Sequence, residues 1–440
     1  MPADDCRATA SRIREHVRTS EAELVGVLCE LLRVPSVPGS ETQNRCQDII
    51  RRELHPSARV DDWVPDWPSL RDVTAPDGRQ PYVPVDEERG AGYERGIAEV
   101  RCIVATVGEG DPHLVLNGHI DVVPATPDGW DGEPFEPREA RGRIYARGAM
   151  DMKAGVVAAL FAFNALCELR LVRRGSVSLA VVPEEESGGN GTVACLQRGH
   201  VGDGVVFAEP TDLRVAHRHI GIQSFALNVR GRAGGILKTG PEGGVSAIEV
   251  MVRALAALDR AAHARRERAF EAGGYDSDDD PAFINVGLIE GGEWPASRAE
   301  SCVARGLFGV MPGESVGDAE AELATAVATA ERDGATIEVT FGAGGHAGGE
   351  LDAGHELVTS LASAGVDLGY GLELSRAGAM VCDAKIVDGG GWAPAVVFGP
   401  TGRGLHGVNE YVEVESVLRC AEVLAMAAAR YSTHFDPVSV

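Results

Sequence analysis

"SVSLAVVPEEESGG", residues 176–189, runs through short apolar and β-branched side chains and then meets three adjacent carboxylates and a pair of glycines. A short, nearly continuous apolar run bounded by turn residues reads as a strand buried on both faces of a sheet. The same rhythm recurs in "RCIVATV" (101–107), "HLVLNGHID" (113–121) and "GVVFAEP" (204–210), each apolar run giving way to polar residues. Between the second and third strand lies "MKAGVVAALFAFNALCEL" (152–169), long enough for a helix of about five turns. Strands alternating with helices predict an α/β sheet, and in such sheets ligands collect beyond the carboxyl ends of the strands. The polar residues after each run therefore stand where a site is expected.

Other stretches complete the outline. Residues 11–35 predict an amphipathic N-terminal helix, and 60–98, rich in Pro, Asp and Gly, a long surface loop or irregular insertion. From about residue 220 the order becomes strand, helix, strand, strand, helix, strand, enough for a small two-layer α+β domain. The helical "HELVTSLASAG", the strand "PAVVFGP" and the helical "VESVLRCAEVLAMAAARYS" then return to the first pattern. The chain thus reads as a discontinuous main domain, 1–218 and 342–440, with residues 219–341 inserted.

Composition bounds the partners. Asp and Glu outnumber Lys and Arg by 66 to 41, a formal charge of −25 over 440 residues. Such a surface repels nucleic acid and anionic membranes. No run of about 20 apolar residues suggests a span, and the first residues lack a secretory pattern, so the cytoplasm is the expected compartment. The nine cysteines are widely spaced with no CxxC pair, which argues against a disulfide scaffold or a thiolate metal site. Most are expected as small buried hydrophobes.

The residues after the apolar runs form a set: His119, Asp121, Asp151, the trio Glu184–Glu186, Glu209 and His406. Two imidazoles with several carboxylates are a mixed N/O donor set suited to a pair of divalent ions. Carboxylates crowded without such ions repel one another and take up protons. Each feature alone has an ordinary alternative: a polar turn for His119 and Asp121, a solvated acidic surface for the trio, a turn start for Glu209.

Five blocks in order settle on a resemblance: "NGHIDVVP", "WDGEPFEPREARGRIYARGAMDMKAG", "VVPEEESGGNG", "EPT" and "FGPTGRGLHGVNEYVEVES". Over roughly residues 20–435 the chain closely resembles the M20 family of metal-dependent amidohydrolases and peptidases, which includes deacetylases, desuccinylases, aminoacylases and glutamate-releasing carboxypeptidases. The resemblance implies a mixed-sheet metallopeptidase catalytic domain with an inserted lid or dimerisation domain. It implies His119 and Glu209 as ligands of a first metal, Asp151 as the bridging ligand with a cis bond to Met152, and Glu186 and His406 as ligands of a second. Asp121 resembles the group that orients the His119 imidazole, and Glu185 the general base. Glu184 reads as a supporting or solvated neighbour. Two divalent ions are implied, Zn2+ first, with Co2+ or Mn2+ suited to the same donors, and the substrate would be an N-acyl amino acid or small peptide-like amide.

The lid departs from the pattern. Where the family carries a histidine that steadies the oxyanion, the aligned "VRGRAGGILKTGPEGGVSAIE" has Gly235; Lys238 is the nearest cation, and it reads equally as a solvated lysine. Asn285, Arg305 and Lys385, the last in a "DAK" sequence where relatives often have Asp-x-Arg, are candidates to face the substrate. The missing histidine leaves two alternatives to hydrolysis: an amide-forming or acyl-transfer enzyme on the same scaffold, or a catalytically impaired metal-containing binding protein. A homodimer through the lid is also open.

Overall fold

The computed structural model describes residues 3–84, 91–238, 240–273, 275, 279–331, 334–375 and 380–434. The chain divides into two compact units, one comprising 1–217, 351–375 and 382–440, the other 218–350 with 376–381.

In the first unit the apolar runs assemble, among the described residues, into an eight-stranded sheet in the order 59–63, 102–108, 176–182, 113–119, 204–207, 395–397, 215–216, 374–375. Its four central strands, from 176–182 to 395–397, run parallel. Their register aligns His119 with Val182 and Asn117 with Phe207, so the chain leaves all of these strands at the same end. Every residue of Ser176–Val182 is buried, as a strand covered on both faces requires.

Helix Ala154–Glu168 follows the expected stretch and is apolar around almost its whole circumference because it sits inside the unit. It packs against Val414–His434, Ala3–Thr19 and Glu21–Leu32. The segment Ala149–Glu168 has the length and hydropathy of a membrane span, yet it is largely buried within the protein. Gly155 permits the approach of this helix to the sheet, since a Cβ there would lie 1.8 Å from the Ala208 carbonyl oxygen. A second, smaller antiparallel sheet of 138–140, 143–145, 411–413 and 402–403 brings the turn carrying His406 beside the loop carrying Asp151.

Two expectations change. The N-terminal helix is two helices, Ala3–Thr19 and Glu21–Leu32. The first ends where the Thr19 hydroxyl donates back to the carbonyls of Glu15 and His16, a local bond that competes with helix continuation. Of the two readings of 60–98, the irregular insertion holds and the surface loop does not. It contributes the strand Arg59–Trp63, the 3-10 turn Trp67–Asp72 and the helix Ala91–Ile97, and it buries Trp67, Leu70, Tyr82 and Tyr93; residues 85–90 lie outside the described residues. All nine cysteines are free thiols, and eight are buried.

The second unit has an antiparallel sheet ordered 284–291, 301–310, 221–230, 336–341, with helices Ala247–Ala272 and Val316–Ala328. Strand Gly221–Arg230 alternates buried and half-buried positions, and its Phe225, Leu227 and Val229 share a core with Val250, Met251 and Ala254. Ser246 and Ser315 cap the two helices by accepting from the Glu249 and Asp318 amides. This unit runs past Phe341 because Ile222 bridges His346 and the short strand 349–350 pairs with 218–219.

Because backbone blocks the space beside Gly155, Gly155→Ala forces helix and sheet apart. The expected loss is about 1–3 kcal/mol of stability, read as a lower urea midpoint at unchanged m-value; an unchanged midpoint would show that the packing relaxes freely.

Candidate metal centre

The loops that leave the parallel strands carry the candidate donors to one place. His119 ends its strand, Glu184–Glu186 follow Val182 by one proline, and Glu209 lies two residues beyond Phe207. Asp151 sits in the short turn Ala149–Lys153, and the Asp151–Met152 peptide is cis. His406 lies between the strands 402–403 and 411–413.

Asp151 is at the centre. Its Oδ1 lies 3.1 Å from His119 Nε2 and its Oδ2 lies 3.1 Å from His406 Nε2. Glu209 Oε1 is 3.6 Å from the first imidazole nitrogen, and Glu186 Oε2 is 3.1 Å from the second. One donor atom each from His119, Asp151 and Glu186 falls within a mutual 4.8 Å. The buried Oε1 of Glu186 has no hydrogen-bond partner among the described residues.

Charge within the cluster points the same way. Burial pushes the Glu185 carboxyl up to about 8 against the pull of Lys385. Burial likewise raises Glu186 and Glu209. Hydrogen bonds to Asp151 and Glu186 lift His406 to about 10. Burial works against a charged His119, yet Glu209, Asp121 and Asp151 hold it well above the usual imidazole value. Burial opposes ionisation of Asp151 too, and the two imidazoles outweigh it, lowering that carboxyl. Raised carboxyls beside raised imidazoles mark a cluster in which negative charge outweighs positive. The mixed donors, the unpartnered Glu186 oxygen and this excess of negative charge fit divalent cations.

A second layer of carboxylates holds the first in place. His119 Nδ1 lies 2.9 Å from the Asp121 carbonyl and 3.5 Å from its Oδ1. The Asp121 carboxylate accepts from the backbone amides of Glu185 and Glu186, at 3.2 and 3.0 Å. Glu184 is fully buried, so the solvated alternative does not hold. It adopts a left-handed φ of 67° and accepts from the Gly39 amide at 2.9 Å, Gln43 Nε2 and Ser187 Oγ at 2.6 Å each, and the Tyr93 hydroxyl.

Four further residues escaped the reading of the sequence: Glu410, Arg147, Lys153 and Tyr93. Buried Glu410 accepts from the amides of Gly148, Met150 and Asp151, and pairs with Arg147 at 2.7 Å. Arg147 also donates to the His406 carbonyl at 3.1 Å, so this pair ties the Asp151 loop to the His406 turn. Lys153 is buried and donates to the carbonyls of Leu31 and Val34 at 2.9 and 2.8 Å. Glu410, Arg147 and Lys153 all stand within the quoted blocks, where charged residues beside ligands were the available signal. Tyr93 had none, because it lies in the irregular stretch.

Of the weaker candidates, Lys385 is buried beside Glu185. The other four belong to the inserted unit. Gly235 bridges Ser297, and a Cβ there would meet only Lys238 Cγ, at 3.8 Å, so the backbone does not demand glycine. Lys238 is exposed with its ammonium 3.8 Å from Glu242. Asn285 and Arg305 are exposed on the strands Ile284–Gly291 and Ser301–Val310.

An α/β sheet with imidazoles and carboxylates gathered at its carboxyl edge, interrupted by a two-layer insertion, is the architecture of a metallopeptidase. Residues 115–430 match the model of peptidase family M20/M25/M40, and the chain belongs to that family. The fold, a mixed α/β catalytic domain with an inserted lid region, matches solved structures at low identity. A tripeptidase from Staphylococcus aureus aligns with a TM-score of 0.67 at 19% identity, covering 93% of this chain and 99% of that one. The dipeptidase Dug1p from Saccharomyces cerevisiae aligns with 0.68 at 14%, covering 97% and 99%.

Among sequence relatives, the N-formyl-4-amino-5-aminomethyl-2-methylpyrimidine deformylase of Bacillus subtilis is 26% identical over 71% of this chain and 77% of its own length. A probable succinyl-diaminopimelate desuccinylase from Staphylococcus aureus is 35% identical over 30% of this chain. That match spans about a third of the desuccinylase, 34% of its length.

Removing one donor from buried Glu184 tests the supporting layer. Tyr93→Phe is expected to cost about 1–3 kcal/mol in urea unfolding, and a loss below about 0.5 kcal/mol would show that Glu184 finds another partner.

Proposed function

We propose that the protein is a dinuclear metal-dependent amidohydrolase that cleaves the amide bond of an N-acyl amino acid or small peptide-like substrate. The observation that carries this reading is the division of donors about Asp151, with His119 and Glu209 on its Oδ1 side and His406 and Glu186 on its Oδ2 side. Each side offers an imidazole, a share of Asp151 and a glutamate, a donor set suited to Zn2+ and also to Co2+ or Mn2+. When bound, such ions lower the proton affinity of water and polarise a carbonyl.

The chain itself then has the proton to manage. Glu185 is half-buried and lies outside the two donor sets, with Lys385 as its ion-pair neighbour rather than an imidazole, so its oxygens are available for that work. It takes a proton from the water that adds to the amide carbon, and returns one to the nitrogen as the C–N bond breaks. Asp121 fixes the backbone on which Glu185 and Glu186 stand. Relatives named as a deformylase, a desuccinylase and a tripeptidase support amide hydrolysis as the reaction class.

Gly235 favours a second reading, specialised amide formation or acyl transfer, because it offers no side-chain donor to an oxyanion. Hydrolysis of a panel of N-acyl amino acids and dipeptides with Zn2+, Co2+ or Mn2+ separates the two; release of free amine supports hydrolysis, and its absence throughout favours the second.

Glu185→Ala is expected to lower kcat by at least about 10²-fold while retaining metal. Near wild-type turnover would rule Glu185 out as the base. Glu186→Gln and His406→Ala are each expected to lower the metal-to-protein ratio measured by elemental analysis, and an unchanged ratio would count against the second ion.

A further inference from the structure

Lys385 lies in the short helix Ala384–Val387, near the edge of the metal centre, and its side chain is buried. Its ammonium stands 3.5 Å from Glu185 Oε1 and 3.5 Å from Asp383 Oδ1. Asp383 is held in turn, because the Thr192 hydroxyl donates to its Oδ2 at 2.5 Å. Thr192 belongs to the helix Asn190–Gln197 that follows the glutamate trio directly.

The backbone makes room for this arrangement. At Gly189 (φ 83°), a Cβ would sit 2.2 Å from Asp383 Oδ1 and 2.2 Å from Ile386 Cδ1. Any larger residue would push the glutamate loop away from the Asp383–Lys385 segment. On its other side the same loop meets Val83, whose backbone exchanges two hydrogen bonds with the Asn190 side chain. The loop is held by contacts with both segments, and Lys385, from the Asp383–Lys385 segment, faces the proposed base.

A buried lysine with two carboxylate neighbours has its charge already matched, which weakens the case for pairing with a substrate carboxylate. A carboxylate that must exchange a proton first with water and then with a nitrogen needs a fixed direction. Ion pairing to a rigidly anchored ammonium supplies it, and a misplacement of about 1 Å can cost about 10²-fold in rate. We infer that Lys385 is a positioning residue: anchored by Asp383 and Thr192, it holds the Glu185 carboxylate in its working orientation and does not bind substrate. The inference rests on the reading of Glu185 as the base.

Lys385→Met tests it, assayed on whichever N-acyl amino acid or dipeptide of the panel is turned over fastest. The expected result is a fall in kcat of about 10²-fold, KM within about threefold of wild type, and unchanged metal content. A metal-loaded crystal structure of the variant should show the Glu185 carboxylate displaced; this readout needs no substrate. Unchanged kcat, a raised KM at intact kcat, or an unmoved Glu185 would each overturn the inference, the second by returning Lys385 to substrate binding. Lys385→Gln, neutral and closer in polarity, carries the same expectations if the methionine variant fails to fold. Glu185→Ala run in parallel separates the two levels. Full activity there sinks the base assignment itself, whereas an inactive Glu185→Ala beside an unimpaired Lys385→Met sinks only the role of Lys385.

Discussion

Mutual repulsion among carboxylates at one end of a parallel sheet is the constraint around which this protein is built. Asp121, Glu185, Glu186 and Glu209 converge there because the parallel strands deliver their following loops to the same edge, and Asp151 joins them from the turn Ala149–Lys153. In a buried pocket such crowding is costly unless each charge is matched. The chain answers in two ways. Asp121, Glu184 and Glu410 are saturated with hydrogen bonds from protein donors, most of them backbone amides of the neighbouring loops. Asp151, Glu186 and Glu209 face imidazoles, and one oxygen of Glu186 has no hydrogen-bond partner among the described residues.

Saturated carboxylates fix geometry, and unsaturated ones offer it to cations. This distinction explains why adjacent residues of one trio differ so much. Glu184 turns inward on a left-handed backbone and is consumed by Gly39, Gln43, Ser187 and Tyr93. Glu186 turns toward His406, and Glu185 toward Lys385. Three identical side chains thus occupy three electrostatic environments set by what surrounds them.

Much of the first layer was legible in the sequence because it is local: a strand end followed by a candidate donor is a pattern of a few residues. The apolar runs marked the sheet, and the blocks around His119, Asp151, Glu186, Glu209 and His406 marked the cluster. Whether the stretch 60–98 was a surface loop or a packed irregular insertion was not legible, because Pro, Asp and Gly signal turns, whereas the burial of Trp67, Leu70 and Tyr93 depends on partners distant in the chain. The sequence offered a supporting role for Glu184 beside a solvated one and could not choose, since its partners come from residues 39, 43 and 93 as well as its own loop. Lys385 was read as a substrate-facing residue from its motif alone, and its two carboxylate neighbours emerge only in three dimensions.

The Arg147–Glu410 pair also has a bearing on chain order. Glu410 lies more than 250 residues downstream of the loop whose amides it collects, and Arg147 reaches across the same interval to the His406 carbonyl. During synthesis the strands that supply His119, Glu186 and Glu209 emerge early, while the clamp on Asp151 and the second imidazole emerge late. A nascent chain short of residue 410 therefore presents an acidic cluster without its frame. The arrangement about Asp151 is complete only after the C-terminal segment has docked, which ties the geometry of the whole cluster to completion of the fold.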